Sequence, residues 1–359
     1  MPSPGFNRTR RRVLLTVASL LAPMQGARSA DARIPLADMH SHYGLITRRL
    51  ESAGLAEEMR SQRVALVAWN LVADMLWIRA GETGISQVRT PGPGELAAHF
   101  TRTLGRMKAY IAAHGLKTVL GPADVDACVA GEPGIVLASE GADFLESRIE
   151  RLDAAYAEGL RHLQFVHYIA SPVGDAQTAA PTHTGLSNLG KQLIEACNAR
   201  RILVDLAHST GASIDQALAI AKVPFIWSHG WVGTTGGRWQ DKYGYQQRRL
   251  SLADAKKIAD RGGVIGLWGL GLSKPNADWP VGKGDTLAYA RELAKLVDKL
   301  GSDHVAFGTD IEGVGPYAGI DAYTQLRAVL AHLEVLKLPS AAIERIAYRN
   351  YARVLKGAL

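Results

Sequence analysis

Five of the 11 histidines stand at or just past the ends of short apolar runs. His40 and His42 close the run 34–39, His167 follows 162–166, His208 follows 202–207, and His229 follows 223–228. Glu140 holds the same place after 134–139, and Asp310 after 305–309. Imidazole nitrogens and carboxylate oxygens with no thiolate among them suit zinc or a similar divalent cation, and a set larger than four suits two ions bridged by a carboxylate. Two such ions about 3.5–4 Å apart would hold a bridging hydroxide, bring its pKa toward neutrality and polarise a carbonyl, so the chemistry in view is hydrolysis. A serine nucleophile has no support, because no G-x-S-x-G occurs.

One H-x-H pair is cheap in a chain with 11 histidines. Its weight comes from the elements that carry it. A strand has a period of two, so Asp38, His40 and His42 point to one side, and the other candidates end other runs. Runs at 64–69 and 263–268 complete a set of eight, each nearly continuous in apolar residues, as expected of strands buried on both faces of a parallel sheet. Helix signals fall between them. Ser187 precedes an apolar stripe at Leu189, Leu193, Ile194 and Cys197; Ser251 with Asp254 forms a capping box ended by Gly262-Gly263; and 95–113, 285–300 and 322–337 read as amphipathic helices. Eight strand–helix alternations predict an α/β chain folded as a (β/α)8 TIM barrel, whose C-terminal strand ends share one rim and build the site. An open doubly wound sheet lacks its signatures, since no G-x-G-x-x-G follows the first strand and no G-x-x-x-x-G-K-[ST] occurs. Segments 79–95 and 231–247 read as long loops. Trp227, Trp231, Trp239 and Trp268 gather near the expected mouth, as packing or as an aromatic wall. His99, His114, His162, His183 and His332 receive no role, and His304, ahead of the eighth strand, reads as structural.

The 359 residues are 47% hydrophobic and 21% charged, which excludes a disordered or fibrous chain. The net charge of +7 is concentrated at the start, in Arg8, Arg10, Arg11, Arg12 and Arg28. Without residues 1–32, which carry those five bases and Asp31, 36 bases face 33 acids, a balance of +3. Nucleic-acid binding therefore has no electrostatic footprint. The basic run leads into an apolar stretch at 13–24, then small residues and Ala30-Asp31-Ala32. This is the layout of a secretory signal of twin-arginine type; the stretch is shorter than the about 20 residues a membrane span needs. The expectation is a signal peptide over 1–32 and one metallohydrolase domain over 33–359, exported to the periplasm or secreted, with no membrane anchor after signal removal. Cys128 and Cys197 are too few for a disulfide scaffold; they read as two buried thiols or one pair.

In order along the chain, these segments resemble the membrane (renal) dipeptidase family of the metal-dependent amidohydrolase superfamily. Asp38-Met39-His40-Ser41-His42 is similar to its opening D-x-H-x-D, Ala138-Ser139-Glu140-Gly141 to its E-G segment, and Leu163-Gln164-Phe165-Val166-His167 to its fourth-strand histidine. Val204-Asp205-Leu206-Ala207-His208 resembles D-[ILM]-S-H, Pro224-Phe225-Ile226-Trp227-Ser228-His229 resembles P-x-x-x-S-H, and Gly308-Thr309-Asp310-Ile311-Glu312-Gly313 resembles G-[ST]-D-[FI]-x-G. The resemblance implies a dipeptidase with two zinc ions per subunit. His40 and position 42 would hold one, His208 and His229 the other, and Glu140 would bridge them. It also implies that Asp310 relays the proton from water to the leaving amine and that His167 polarises the scissile carbonyl. An arginine after the sixth strand would clamp the substrate carboxylate. Arg248 and Arg249 both fall there, and the family's Arg-Asn, read here as Arg248-Arg249, favours Arg248. The substrate implied is a small dipeptide, with a D-residue tolerated at its C-terminal position, and the assembly a homodimer.

One departure bears on all of this: the family has aspartate where this chain has His42. The exchange removes a negative charge and leaves Glu140 as the only anionic ligand, so the first ion is expected to sit more loosely or an added anion to compensate. It keeps two other readings open. One is a different amidohydrolase, cleaving an N-acyl amino acid, a lactone or a cyclic amide; the other is a catalytically weak metal- or peptide-binding homologue.

Overall fold

Each of the eight apolar runs forms a strand with no polar face to the solvent. They are β1 (Leu36–Ser41), β2 (Val64–Val72), β3 (Gly134–Glu140), β4 (Leu160–Gln164), β5 (Leu203–Asp205), β6 (Ile226–Trp227), β7 (Val264–Trp268) and β8 (Val305–Gly308). All nine residues of β2 and all seven of β3 are buried, because one face meets the barrel interior and the other the helices outside. The strands pair in parallel in chain order; β2 bonds to β3 from Leu66↔Gly134 to Val72↔Glu140, and β8 returns to β1 at Asp38↔Phe307, which closes the ring. A short strand, Lys117–Thr118, lies along the start of β3. The computed structural model describes residues 1, 34–50, 54–81, 84–233 and 245–359. The signal segment expected at 1–32, apart from Met1, lies outside these, as do Trp239 and most of the 231–247 loop.

The expected helices follow at Glu95–Ala113, Asn188–Arg200, Leu252–Asp260, Thr286–Leu300 and Tyr323–Val335. Ser187 Oγ accepts the Gly190 N–H at 3.1 Å and Ser251 Oγ the Asp254 N–H at 3.0 Å, satisfying donors that a helix start leaves open. Ala37, Leu66, Val136, Leu203, Val264 and Ala306 fill the barrel interior and pack on Tyr351, Val354 and Leu355 of the last helix, Asn350–Ala358. That plug closes the end opposite the site. Nearer the mouth, a Cβ on Gly308 would fall 1.7 Å from the Ser228 carbonyl oxygen, so only a glycine lets the end of β6 bend inward there.

The segment expected as a loop at 79–95 is more ordered than its glycines and polar residues suggest. It contains all but the first residue of an antiparallel hairpin, Ile78–Ala80 with Ile85–Gln87, in the register Arg79↔Ser86. Cys128 and Cys197 are both buried and free. Burial pushes the Cys128 thiol up to about 12 and raises that of Cys197 as well, so they act as small apolar groups. No helix among the described residues is long and apolar enough to cross a membrane.

Candidate active site

The strand ends carry their polar residues to one rim. His40 lies in β1 with His42 just beyond it, Glu140 closes β3, and His167, His208, His229 and Asp310 follow β4, β5, β6 and β8. Three residues on this rim that are not glycine, His208 (φ 70°), Asp310 (φ 54°) and Glu312 (φ 74°), hold left-handed backbone. Such strain is sustained where the surroundings fix it, as around reactive groups.

Glu140 is the centre. Its Oε1 lies 3.1 Å from His208 Nε2 and 3.5 Å from both His40 Nε2 and His229 Nε2. Its Oε2 lies 3.1 Å from His42 Nε2 and 3.3 Å from His167 Nε2. Asp310 Oδ1 stands 3.1 Å from His42 Nε2, while its Oδ2 accepts the Trp268 indole N–H at 2.7 Å.

The tautomers decide what this cluster can hold. His42 Nδ1–H donates to the Asn70 carbonyl at 2.7 Å, which leaves Nε2 with a bare lone pair. Ser228 Oγ lies 3.1 Å from His40 Nδ1 and 3.0 Å from His229 Nδ1, and its two lone pairs can take both N–H groups. The Nε2 atoms of His40 and His42 are then 3.1 Å apart, and those of His208 and His229 3.2 Å apart. Lone pairs so close repel unless a positive group lies among them, the place that the Arg248 guanidinium takes at His208 and His229. His208 Nδ1 has no partner at all. Three buried groupings, His40–His42–Glu140, Glu140–His167–His208 and His40–His229–Asp310, have the reach to hold an ion, and a nitrogen-rich donor set with one shared carboxylate fits a borderline-soft divalent cation.

The electrostatics agree. Burial and the Arg248 guanidinium hold His208 well below the ordinary imidazole value; burial, His40 and Arg248 do the same to His229, and burial lowers His40. These are neutral, ligand-competent rings. Burial opposes charge on His42 too, yet contacts with Asp310 and Glu140 pull its pKa well above normal. The carboxylates thus draw positive charge into this space.

All eight residues singled out from the sequence meet here. Arg248, buried, sets Nη1 on His208 Nε2 and Nη2 3.2 Å from His229 Nε2, and lies over the Trp268 ring at 5.2 Å. Arg249 instead runs along Gly233, where an added Cβ would strike its Cδ. A cavity of about 230 Å³ opens onto His42, Glu140, His167, His208, Arg248 and Asp310. Of the other tryptophans, Trp227 is buried in the barrel and Trp231 packs on Trp279. His304 Nδ1 bonds the Gly263 carbonyl, a structural contact.

Sequence reasoning missed Asp74. It is buried just past β2, its Oδ1 is 2.6 Å from His167 Nδ1, and its Oδ2 accepts the N–H groups of Tyr168 and Ile169 at 3.0 and 3.1 Å. Burial works against charge on His167, but Asp74 and Glu140 outweigh it and raise its pKa. The available signal was an acid after a strand end, the pattern that marked Glu140 and Asp310. Ser228 and Asp205 were also passed over, although both lie inside quoted motifs; Asp205 takes the Ser228 N–H at 3.0 Å and pairs with His162 at 3.1 Å, tying β4, β5 and β6 together.

The family model for the membrane dipeptidases, peptidase family M19, matches residues 57–358. A Klebsiella pneumoniae protein described as an uncharacterized protein in the pqqA 5' region is 25% identical over 276 residues, 74% of this chain and 97% of its own. Dipeptidase verJ of Clonostachys rogersoniana is 25% identical over 203 residues, 56% of this chain, which spans about half (49%) of that relative. Among solved structures, a metallopeptidase from Rhodobacter sphaeroides liganded with a phosphinate mimic of L-Ala-D-Ala superposes with a TM-score of 0.73 at 21% identity, over 91% of this chain and 99% of that one. The probable dipeptidase PvdM from Pseudomonas aeruginosa gives 0.72 at 18% identity, over 91% and 96%. With the same barrel and a family match along most of its length, this chain belongs to the membrane dipeptidase family, peptidase family M19.

Proposed function

We propose that the chain is an exported, zinc-dependent dipeptidase that hydrolyses the peptide bond of small dipeptides with two ions per subunit. The observation that carries this reading is the convergence of His40, His42, His208 and His229 on the Glu140 carboxylate, beside Asp310 and with Arg248 in the same small cavity. His40, His42 and Glu140 would hold one ion, and His208, His229 and Glu140 the other. Cations bound there supply Lewis acidity toward a carbonyl and ease the loss of a proton from water.

The rest belongs to the chain's own groups. Arg248 pairs with the substrate's terminal carboxylate, which limits the site to short peptides. His167, whose pKa Asp74 and Glu140 raise against its burial, donates from Nε2 to the scissile carbonyl oxygen as negative charge builds on it. Asp310, steadied by the Trp268 N–H, takes the proton of the attacking water and delivers it to the departing amine. Water is thereby divided between the new carboxylate and the new amine. Export rests on the basic, apolar and small-residue order of residues 1–32.

The test is metal counting on purified protein beside a dipeptide panel, repeated with Asp310→Asn. Two divalent ions per chain and cleavage of Ala-Ala or Ala-D-Ala are expected, with metal retained and turnover down on the order of 10²-fold or more in the variant. Unchanged turnover would remove Asp310 from the chemistry. Release of product from N-acyl amino acids and not from dipeptides would move the reading to another amidohydrolase.

A further inference from the structure

The mechanism above leaves two charged groups of the cavity unused, Arg79 and Glu312. Arg79 lies on the hairpin after β2 and lines the same cavity as Arg248 and the metal-capable cluster. It is exposed, and among the described residues its guanidinium has no ion pair or hydrogen bond. Every acid of the cavity is engaged elsewhere. Glu140 faces the imidazoles, Asp310 takes the Trp268 N–H, and Glu312 accepts the backbone N–H groups of Gly44, Ile46, Thr47 and Arg48 at 2.7–3.3 Å. The wall around Arg79 is otherwise aliphatic, with Val72, Met75, Ile78 and Ile85. Arg89, just past the same hairpin, is the contrast: it pairs with Glu95 at 2.7 Å and lies over Trp77 at 4.9 Å. One arginine of this region is tied down by its own chain and the other is left facing the substrate space.

We propose that Arg79 is a specificity residue that selects dipeptides carrying a side-chain carboxylate in addition to the terminal one. This rests on the dipeptidase reading. The terminal carboxylate belongs to Arg248, so a dipeptide with a neutral side chain meets an aliphatic wall and leaves Arg79 to water. An aspartyl or glutamyl side chain gives it a bidentate partner beside low-dielectric surface, where a charge-assisted pair is stronger than one in open solvent.

The experiment compares kcat/KM of the zinc-loaded full chain on isosteric pairs, Ala-Asp against Ala-Asn, Ala-Glu against Ala-Gln, and Asp-Ala against Asn-Ala, for the parent, Arg79→Gln and Arg79→Lys. At least one acid should lead its amide by about three- to tenfold in the parent, through KM, with the ratio falling near one in Arg79→Gln and partly kept in Arg79→Lys. Equal rates within every pair in the parent, or a preference that survives Arg79→Gln, would overturn the proposal. Cleavage of Ala-Ala without any preference for acids would sink this inference and leave the dipeptidase reading standing. If the loaded parent cleaves no dipeptide, that reading falls, and calorimetric binding of Ala-Asp against Ala-Asn still decides the role of Arg79.

Discussion

With its Nδ1–H held by the buried Asp74 carboxylate at 2.6 Å, His167 can donate at Nε2 only while its ring holds two protons, a state that the same carboxylate favours. Asp74→Asn keeps the size and an acceptor but removes the charge. Turnover is expected to fall about 10- to 100-fold, the loss of a charge-assisted contact, with KM and metal content close to the parent's. Steady-state kinetics beside metal analysis checks this, and a loss confined to KM would show that His167 binds and does not polarise. The ligand-type residues were legible because each follows an apolar run directly. Asp74 was not, since the second run was read as ending at Trp69, whereas β2 continues through Asn70 and Leu71 to Val72. Asn70 was invisible for another reason: it serves His42 through its backbone carbonyl, which any residue provides.

Between single residues and the barrel stand the loops that hold the rim in place. The segment after β4 folds around Asp175, whose Oδ1 accepts the N–H groups of Thr182 and His183 at 2.6 and 2.9 Å and whose Oδ2 accepts that of Gly185 at 2.8 Å. The same segment sends Gln177 to the Arg249 carbonyl and to Arg248 Nε, so its order is felt at Arg248, the proposed carboxylate clamp. Burial would raise the Asp175 pKa, but the three N–H groups overcome it and hold the carboxyl below its usual value. A depressed folded-state pKa contributes stability that is present above the unfolded value and lost as pH falls through the folded one. Asp175→Asn should therefore cost about 1–3 kcal/mol near neutrality, and the gap between parent and variant should close below about pH 4. Thermal melts at pH 7, 5 and 3 measure it; a gap that widens with acid would contradict the assignment. Element identity was legible here and loop structure was not, because Asp175 meets N–H groups seven to ten residues away. The hairpin that carries Arg79 escaped for a like reason, its strands being only three residues each.

At the scale of the molecule, cations among these side chains would tie β1 to β3, β5 and β6, which no single helix or loop does. Removing them should lower the melting temperature, since whatever binds only the folded chain stabilises it, by about 3–4 kcal/mol at 100–1,000 times Kd. His42 makes this test informative. It supplies a neutral nitrogen where the family pattern has a carboxylate, so among the described residues the only charges within reach of its Nε2 are Glu140 Oε2 and Asp310 Oδ1, each 3.1 Å away. After brief chelation the parent should lose the first ion ahead of the second, and His42→Asp should retain more metal and melt higher. Loss of both ions together in the parent would argue against it.

The sequence by itself determined the barrel and the ring of ligand-type residues on its rim. Strands buried on both faces are mostly apolar, with β4 and its buried Arg161, His162 and Gln164 the exception, and closing eight of them in parallel sends every C-terminal end to one mouth. Tertiary structure alone decided how the imidazole nitrogens are partnered, that Asp74 raises the pKa of His167, and that Arg79 overlooks the cavity into which Arg248, the arginine the resemblance favoured, enters. Those outcomes depend on side-chain directions, set by left-handed backbone at His208 and Asp310 and by partners as far apart in sequence as His40 and Ser228, which local pattern does not encode.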